Sequence, residues 1–148
     1  MKNEQINVLL ADGNDDNRNF FIDALQELKI NVVVNAVKNG QELIDCLSQT
    51  NVSLPHLVFL DHNVPRKTGF DCLNEIKRTD RFKNIGIAIY SASASEKDIE
   101  ETFVRGANVH IKKPSSFSSL KKVLSQVIML NWQYHTSGLN RDNFLVSL

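Results

Sequence analysis

The chain has 148 residues, 42% of them hydrophobic and 23% charged, which fits one compact domain and lies far from the disordered class. Its 17 basic residues balance its 17 acidic ones, so binding of nucleic acid or a membrane surface through bulk charge is not expected. No apolar stretch reaches the roughly 18 residues that cross a bilayer, and nothing resembles a secretory signal, so a cytoplasmic protein is expected.

Short apolar runs alternate with longer segments of helical period. Ile6 to Ala11 reads as a first strand, stopped by Asp12-Gly13-Asn14. From about Asp16 the residues Phe21, Ala24, Leu25 and Leu28 recur at helical spacing. Ile30 to Ala36 reads as the second strand, and Asn39 with Glu42 forms a capping-box pattern that opens a helix through Leu43, Ile44 and Leu47. His56 to Leu60 is a third, nearly all-apolar strand running into Asp61, and a helix carrying Phe70, Leu73 and Ile76 follows the loop 61–69. Ile85 to Tyr90 is the fourth strand. Ser95 caps a helix with Ile99 and Phe103 that ends at Gly106. Val109 to Lys112 is the fifth strand, and Leu120, Val123, Leu124, Val127 and Ile128 mark the final amphipathic helix.

Strands alternating with helices imply right-handed crossovers and a parallel sheet buried on both faces. The expected fold is therefore α/β: a doubly wound, five-stranded parallel sheet in the order 2-1-3-4-5, flavodoxin-like (βα)5. The tail from Asn131 to Leu148 shows no clear period, yet Phe144, Leu145, Val146 and Leu148 are too apolar for a simple solvated end. The two cysteines, Cys46 and Cys72, lack CxxC spacing and read as reduced thiols on helix faces.

Ligands of such sheets bind beyond the carboxyl ends of the strands. Asp12, Asp61, Ser91 and Lys113 each follow a different strand and would converge there. Two carboxylates, a hydroxyl and an ammonium suit phosphoryl chemistry with a divalent metal. One carboxylate acts as nucleophile, the other helps hold the metal, and the hydroxyl and lysine receive phosphoryl oxygens. His62 beside Asp61 has no second histidine at ligand spacing and reads as an ordinary loop residue.

Three segments, in order, carry a family resemblance: Leu60-Asp61-His62-Asn63-Val64-Pro65-Arg66-Lys67-Thr68-Gly69, Ile89-Tyr90-Ser91-Ala92 and Lys112-Lys113-Pro114. Over about residues 5–130 the chain resembles the receiver domain of two-component response regulators, the family of the chemotaxis receiver that serves as a standard example of this strand order. The resemblance implies that Asp61 is the phosphoacceptor, that Ser91 bonds the phosphoryl group and that Lys113 pairs with it. It implies a Mg²⁺ site of Asp12, Asp61 and the main-chain carbonyl of Asn63. It places His110 where many members carry a switching aromatic, with the ring entering space vacated beside Ser91. It also implies a Lys113–Pro114 peptide that is usually cis. Expected partners are a sensor histidine kinase or phosphotransfer protein and a downstream protein target, with no nucleic acid and no membrane. Residues 131–148 would form a tail extension rather than an effector domain. Its apolar residues are expected near the face of the fourth helix, fifth strand and fifth helix, or against a second copy of the chain in a homodimer.

One departure weakens the metal site. The family usually has two adjacent acids after the first strand, and this chain has Asp12-Gly13. On that ground Gly13→Asp is expected to tighten Mg²⁺ binding. The alternative reading is a degenerate receiver that binds partners without phosphorylation. A haloacid-dehalogenase-type phosphotransferase ranks below both, because Asn63 stands where its second aspartate is required. The chain is therefore expected to be a signalling domain with at most self-phosphorylation and self-dephosphorylation chemistry, not an enzyme.

Overall fold

The computed structural model describes residues 5–92, 95–137 and 145–146, without side chains from 130 onward. Its strands are β1 (Ile6–Ala11), β2 (Val32–Val37), β3 (Leu57–Asp61), β4 (Gly86–Ser91), β5 (Val109–Lys112) and β6 (Leu145–Val146). The helices between them are α1 (Asp15–Gln26), α2 (Gly40–Leu47), α3 (Gly69–Arg78), α4 (Glu96–Val104) and α5 (Phe117–Ser137). A 3-10 turn at Asp80–Phe82, which carries no apolar period of its own, follows α3.

All strand pairs are parallel, and the order is β2-β1-β3-β4-β5-β6. The expected order 2-1-3-4-5 is present, extended by one strand at the β5 edge. Leu145 and Val146 of the tail form that strand, while Phe144 and Leu148 lie outside the described residues. The tail also begins later than expected, because α5 continues through Asn131 to Ser137. Nothing in Asn131-Trp132-Gln133-Tyr134-His135-Thr136 breaks a helix, and the first glycine after it is Gly138.

The central strands β1, β3 and β4 each feed two cores. Val8, Leu10, Leu57 and Phe59 face α1 and α5, where they meet Phe21, Leu25, Leu120 and Leu124. Leu9, Ala11, Val58 and Leu60 face the other way, against Leu43, Leu47, Leu73, Ile76 and Ile99 of α2, α3 and α4. This is the period-two alternation of a strand buried on both sides, and it leaves β3 and β4 without an exposed residue. Phe21 sits edge-on to both Phe59 and Tyr90, with ring centroids 4.8 and 5.9 Å away. Each such pair adds about 0.5–1.5 kcal/mol beyond area burial.

The helix starts follow the sequence. Asn14, Asn39, Thr68 and Ser95 cap α1, α2, α3 and α4, each accepting a hydrogen bond from the third residue on. Glu42 closes its box one residue early, accepting from the Lys38 N–H at 2.8 Å. Gly106 ends α4 at φ +96°, the left-handed geometry that a C′ glycine supplies.

Candidate functional site

Sheet register brings the strand-end residues together. Ala11 pairs with Leu60, Asp61 with Tyr90, and Ser91 with Lys112, so Asp12, Asp61, Ser91 and Lys113 all lie at the carboxyl edge. The Lys113 ammonium lies 3.1 Å from Asp61 Oδ2 and 4.0 Å from Asp12 Oδ2. Its main-chain N–H donates to the Ser91 carbonyl at 2.8 Å, which ties the β5 exit to the end of β4. Ser91 itself is buried. The expectation of one cleft therefore holds for the two acids and the lysine, with Ser91 one residue beyond Asp61's register partner. The Lys113–Pro114 peptide is trans, unlike the implied cis form.

Both carboxylates are buried, Asp12 to 1% and Asp61 to 7% exposure. Each orients itself by an Asx turn: Asp12 Oδ1 accepts from the Asn14 N–H (2.9 Å), and Asp61 Oδ1 from the Asn63 N–H (3.1 Å). Burial raises the Asp12 pKa above the ordinary aspartate value, and the charge of Asp61 pushes the same way. The Asn14 N–H, Lys113 and Arg18 oppose that shift. Two acids sharing a lysine form a site that favours positive charge. The two carboxylates suit a small hard cation that keeps several of its waters. Among the described residues no group of three acidic, histidine or cysteine side chains surrounds a common point, so Asp15 and Asp16 do not complete such a set.

Gly13 is a packing position as well as a missing ligand. A Cβ there would lie 2.7 Å from Cδ of the Pro65 ring and 3.4 Å from the Lys38 carbonyl. An aspartate at this position must displace Pro65, so the simple expectation for Gly13→Asp acquires a steric cost. The loop that carries Pro65 is itself fastened to α2. The Gly40 N–H donates to the Pro65 carbonyl (3.1 Å), and a Cβ on Gly40 would lie 2.1 Å from the Lys67 carbonyl.

His110 is buried on the α4 side of the sheet, with Nδ1 3.0 Å from the Thr102 hydroxyl. The residue in the switch position is thus inside the protein and held against α4. His62, expected as an exposed loop side chain, is half-buried instead: it packs edge-on against Phe70 with ring centroids 4.5 Å apart, and its Nδ1 is buried without a hydrogen-bond partner.

Sequence reasoning missed three side chains at or behind the site. Tyr90 lies under the Lys113 ammonium, 5.1 Å from ring centroid to Nζ, and burial with the two nearby acids drives its pKa well above the tyrosine range. Arg18 donates from Nη1 to the Asp12 carbonyl at 2.7 Å. Thr102 holds His110. Strand alternation could have placed Tyr90, whereas Arg18 and Thr102 depend on how helices rotate against the sheet, which no spacing reveals.

Comparison with known proteins agrees with this geometry. The sequence pattern described as the response regulator receiver domain matches residues 8–125. "Probable methanogenesis regulatory protein FilR2" of Methanothrix harundinacea is 26% identical over 123 residues, covering 81% of this chain and 79% of the relative. Response regulator RR06 of Streptococcus pneumoniae is 30% identical over 123 residues, covering 83% of this chain and 53% of RR06. Among solved structures, the phosphorylated cyanobacterial phytochrome response regulator RcpA superposes with a TM-score of 0.77 at 26% identity, covering 93% of this chain and 98% of RcpA. By its fold, its strand-end residues and this match, the chain belongs to the response regulator receiver domain family.

Proposed function

We infer that the protein is a response regulator of a phosphorelay, taking a phosphoryl group on Asp61 from a histidine kinase or phosphotransfer protein and signalling through a protein target. The observation that carries this reading is the Lys113 ammonium shared between two buried carboxylates, 3.1 Å from Asp61 and 4.0 Å from Asp12. RcpA, a relative solved in phosphorylated form, supports it. Receiver domains are signalling domains, and any chemistry of this one is confined to its own acyl phosphate. The receiver would span residues 5–130, followed by the extension that ends in β6. Among the described residues no helix is long and apolar enough to cross a membrane, consistent with work in the cytoplasm.

In the transfer step an oxygen of Asp61 attacks phosphorus, the P–N bond of the donor phosphohistidine breaks, and the imidazole leaves, taking its proton from water. Lys113 stays paired with the growing phosphoryl charge, and Ser91, one strand over, offers its hydroxyl. A divalent cation such as Mg²⁺, held by Asp12, Asp61 and the Asn63 carbonyl, would neutralise charge on the phosphoryl oxygens. Asp12 is held in place by its Asx turn, so its carboxylate needs no reorganisation to serve that site.

The test is incubation with a small acyl phosphate, with and without Mg²⁺, followed by intact mass. One metal-dependent phosphoryl adduct is expected, and Asp61→Asn should abolish it. An adduct surviving in that variant moves the nucleophile elsewhere. The packing of Pro65 over Gly13 favours a second reading, a degenerate receiver that binds partners unphosphorylated, and it takes over if no donor labels the wild type.

A further inference from the structure

β2 closes the sheet on the side opposite β6, and among the described residues no strand lies beyond it. Its register with β1 fixes which main-chain groups are used. At the two ends of the pairing the Ile6 N–H donates to the Asn31 carbonyl (2.8 Å) and the Asp12 N–H to the Val37 carbonyl (3.2 Å). Parallel pairing alternates, so Asn31, Val33, Asn35 and Val37 bond to β1, while the N–H and C=O groups of Val32, Val34 and Ala36 point away from the sheet. Edge strands are ordinarily guarded by charge, proline or a bulge. From Ile30 to Val37 this chain has no charge and no proline, and the pairing with β1 runs without a bulge.

The side chains are as open as the main chain. Val32 and Val34 pack toward α1 and α5, and Val37 toward α2, so Val33 and Asn35 share the α2 face with Val37. Neither flanking helix covers Val33, Asn35 or Ala36, all of which are exposed. Asn35 lines an apolar cavity of about 320 Å³ together with Cys46, Leu54 and Val52. Val33 and Val52 are 39% and 46% exposed, two of the large apolar side chains that the fold leaves in water.

Only an extended strand can satisfy outward groups at every second residue, and β2 of a second copy is such a strand. Antiparallel pairing exchanges both bonds between facing residues, so the outward residues of two copies match as Val34 to Val34, on a two-fold axis, and Val32 to Ala36. The same register sets Val33 of one copy directly opposite Asn35 of the other, in the closer type of pair, with both side chains on the α2 face. Val33 thereby meets the rim of the second copy's apolar cavity beside Val52, and the symmetry repeats the contact. The flanking charges do not collide, since Lys38 falls opposite Ile30 and Lys29 opposite Asn39. A single register therefore pairs the open main chain, covers exposed apolar side chains and opposes no like charges.

We propose that β2 is a homodimerisation edge, where two copies pair β2 to β2 antiparallel and join their sheets into one across a two-fold axis. This edge lies at the far side of the sheet from β5 and the tail, and the pairing is independent of the reading of Asp61 as phosphoacceptor.

The full chain is followed by sedimentation velocity from about 1 to about 200 µM, a range suited to an interface of modest area. Its mass should rise with concentration to twice that of the chain. Over the same range the Val34 and Ala36 amides should slow in hydrogen exchange by at least about fivefold. Val33→Lys carries a charge to the cavity rim, and Ala36→Pro deletes an outward N–H while keeping every bond to β1. Each should raise the dimer dissociation constant at least about tenfold, whereas Val104→Lys on α4 should change it less than about twofold. A chain that stays monomeric throughout overturns the proposal. So does a dimer that survives Val33→Lys and Ala36→Pro, or one in which the Val34 and Ala36 amides exchange as fast as in the dilute protein. The exchange arm uses wild type alone and decides if either variant fails to fold.

Discussion

The His110 imidazole is 1% exposed and reaches from β5 to the Thr102 hydroxyl of α4. That hydroxyl also lies 3.1 Å from both the Asp98 and Ile99 carbonyls, so it links the ring nitrogen to the main chain of α4. The bond ties β5, the strand that leads to Lys113, to a helix that carries an exposed Val104, 78% accessible. Thr102→Val keeps the shape and removes a hydrogen-bonding partner of a buried ring nitrogen, at an expected cost of about 1–3 kcal/mol. Denaturant unfolding checks this, with Thr102→Ser restoring most of the loss. A Thr102→Val change below about 0.5 kcal/mol would show that the tie is unimportant. At this scale the sequence showed Asp12, Asp61, Ser91 and Lys113 because a polar residue ending an apolar strand has a fixed address. It hid Thr102 and Arg18, since a helical residue's neighbour on another element depends on helix rotation and not on spacing.

Between elements, the carboxyl edge is held by close approaches rather than by long contacts. Gly40 lets the start of α2 touch the loop 62–69, and that loop seats Pro65 over Gly13. At the other side of the sheet β6 pairs His110 with Leu145 and Ile111 with Val146, covering an edge that would otherwise offer unpaired main-chain groups. A strand of two residues cannot display a period, so the apolar tail was readable as apolar but not as a strand. The helices and the first five strands were legible because each has a cap, a breaker or several turns of period. Removal of residues 138–148 should speed amide exchange at Ile111, whose N–H faces β6 while that of His110 faces β4, by at least about tenfold and lower the melting temperature by a few degrees. Unchanged exchange at the Ile111 amide would show that β6 does not protect the β5 edge.

Across the whole molecule the central sheet separates two cores, and the candidate site sits where both end. Asp61 closes β3, which is buried on both faces, so a phosphoryl group added there cannot be relieved by moving the strand itself. On the α2 side the loop is fastened through Gly40 and Pro65, and on the α1 side Arg18 is held at both ends. The freer direction runs through the end of β4, where Ser91 holds the Lys113 amide, to α4, joined to β5 by Thr102 and His110. A charge-assisted hydrogen bond from Ser91 to the phosphoryl group is stronger than one to a neutral group and would bias that assembly toward a second arrangement. Beryllofluoride bound at Asp61 should therefore change amide exchange in residues 95–112 and in β6, while α1 and β2 keep their wild-type rates. Asp61→Asn serves as the control and should show none of these changes. Differences confined to 61–69, with α4, β5 and β6 unaffected, would disprove this route and leave the phosphoryl group with only a local effect.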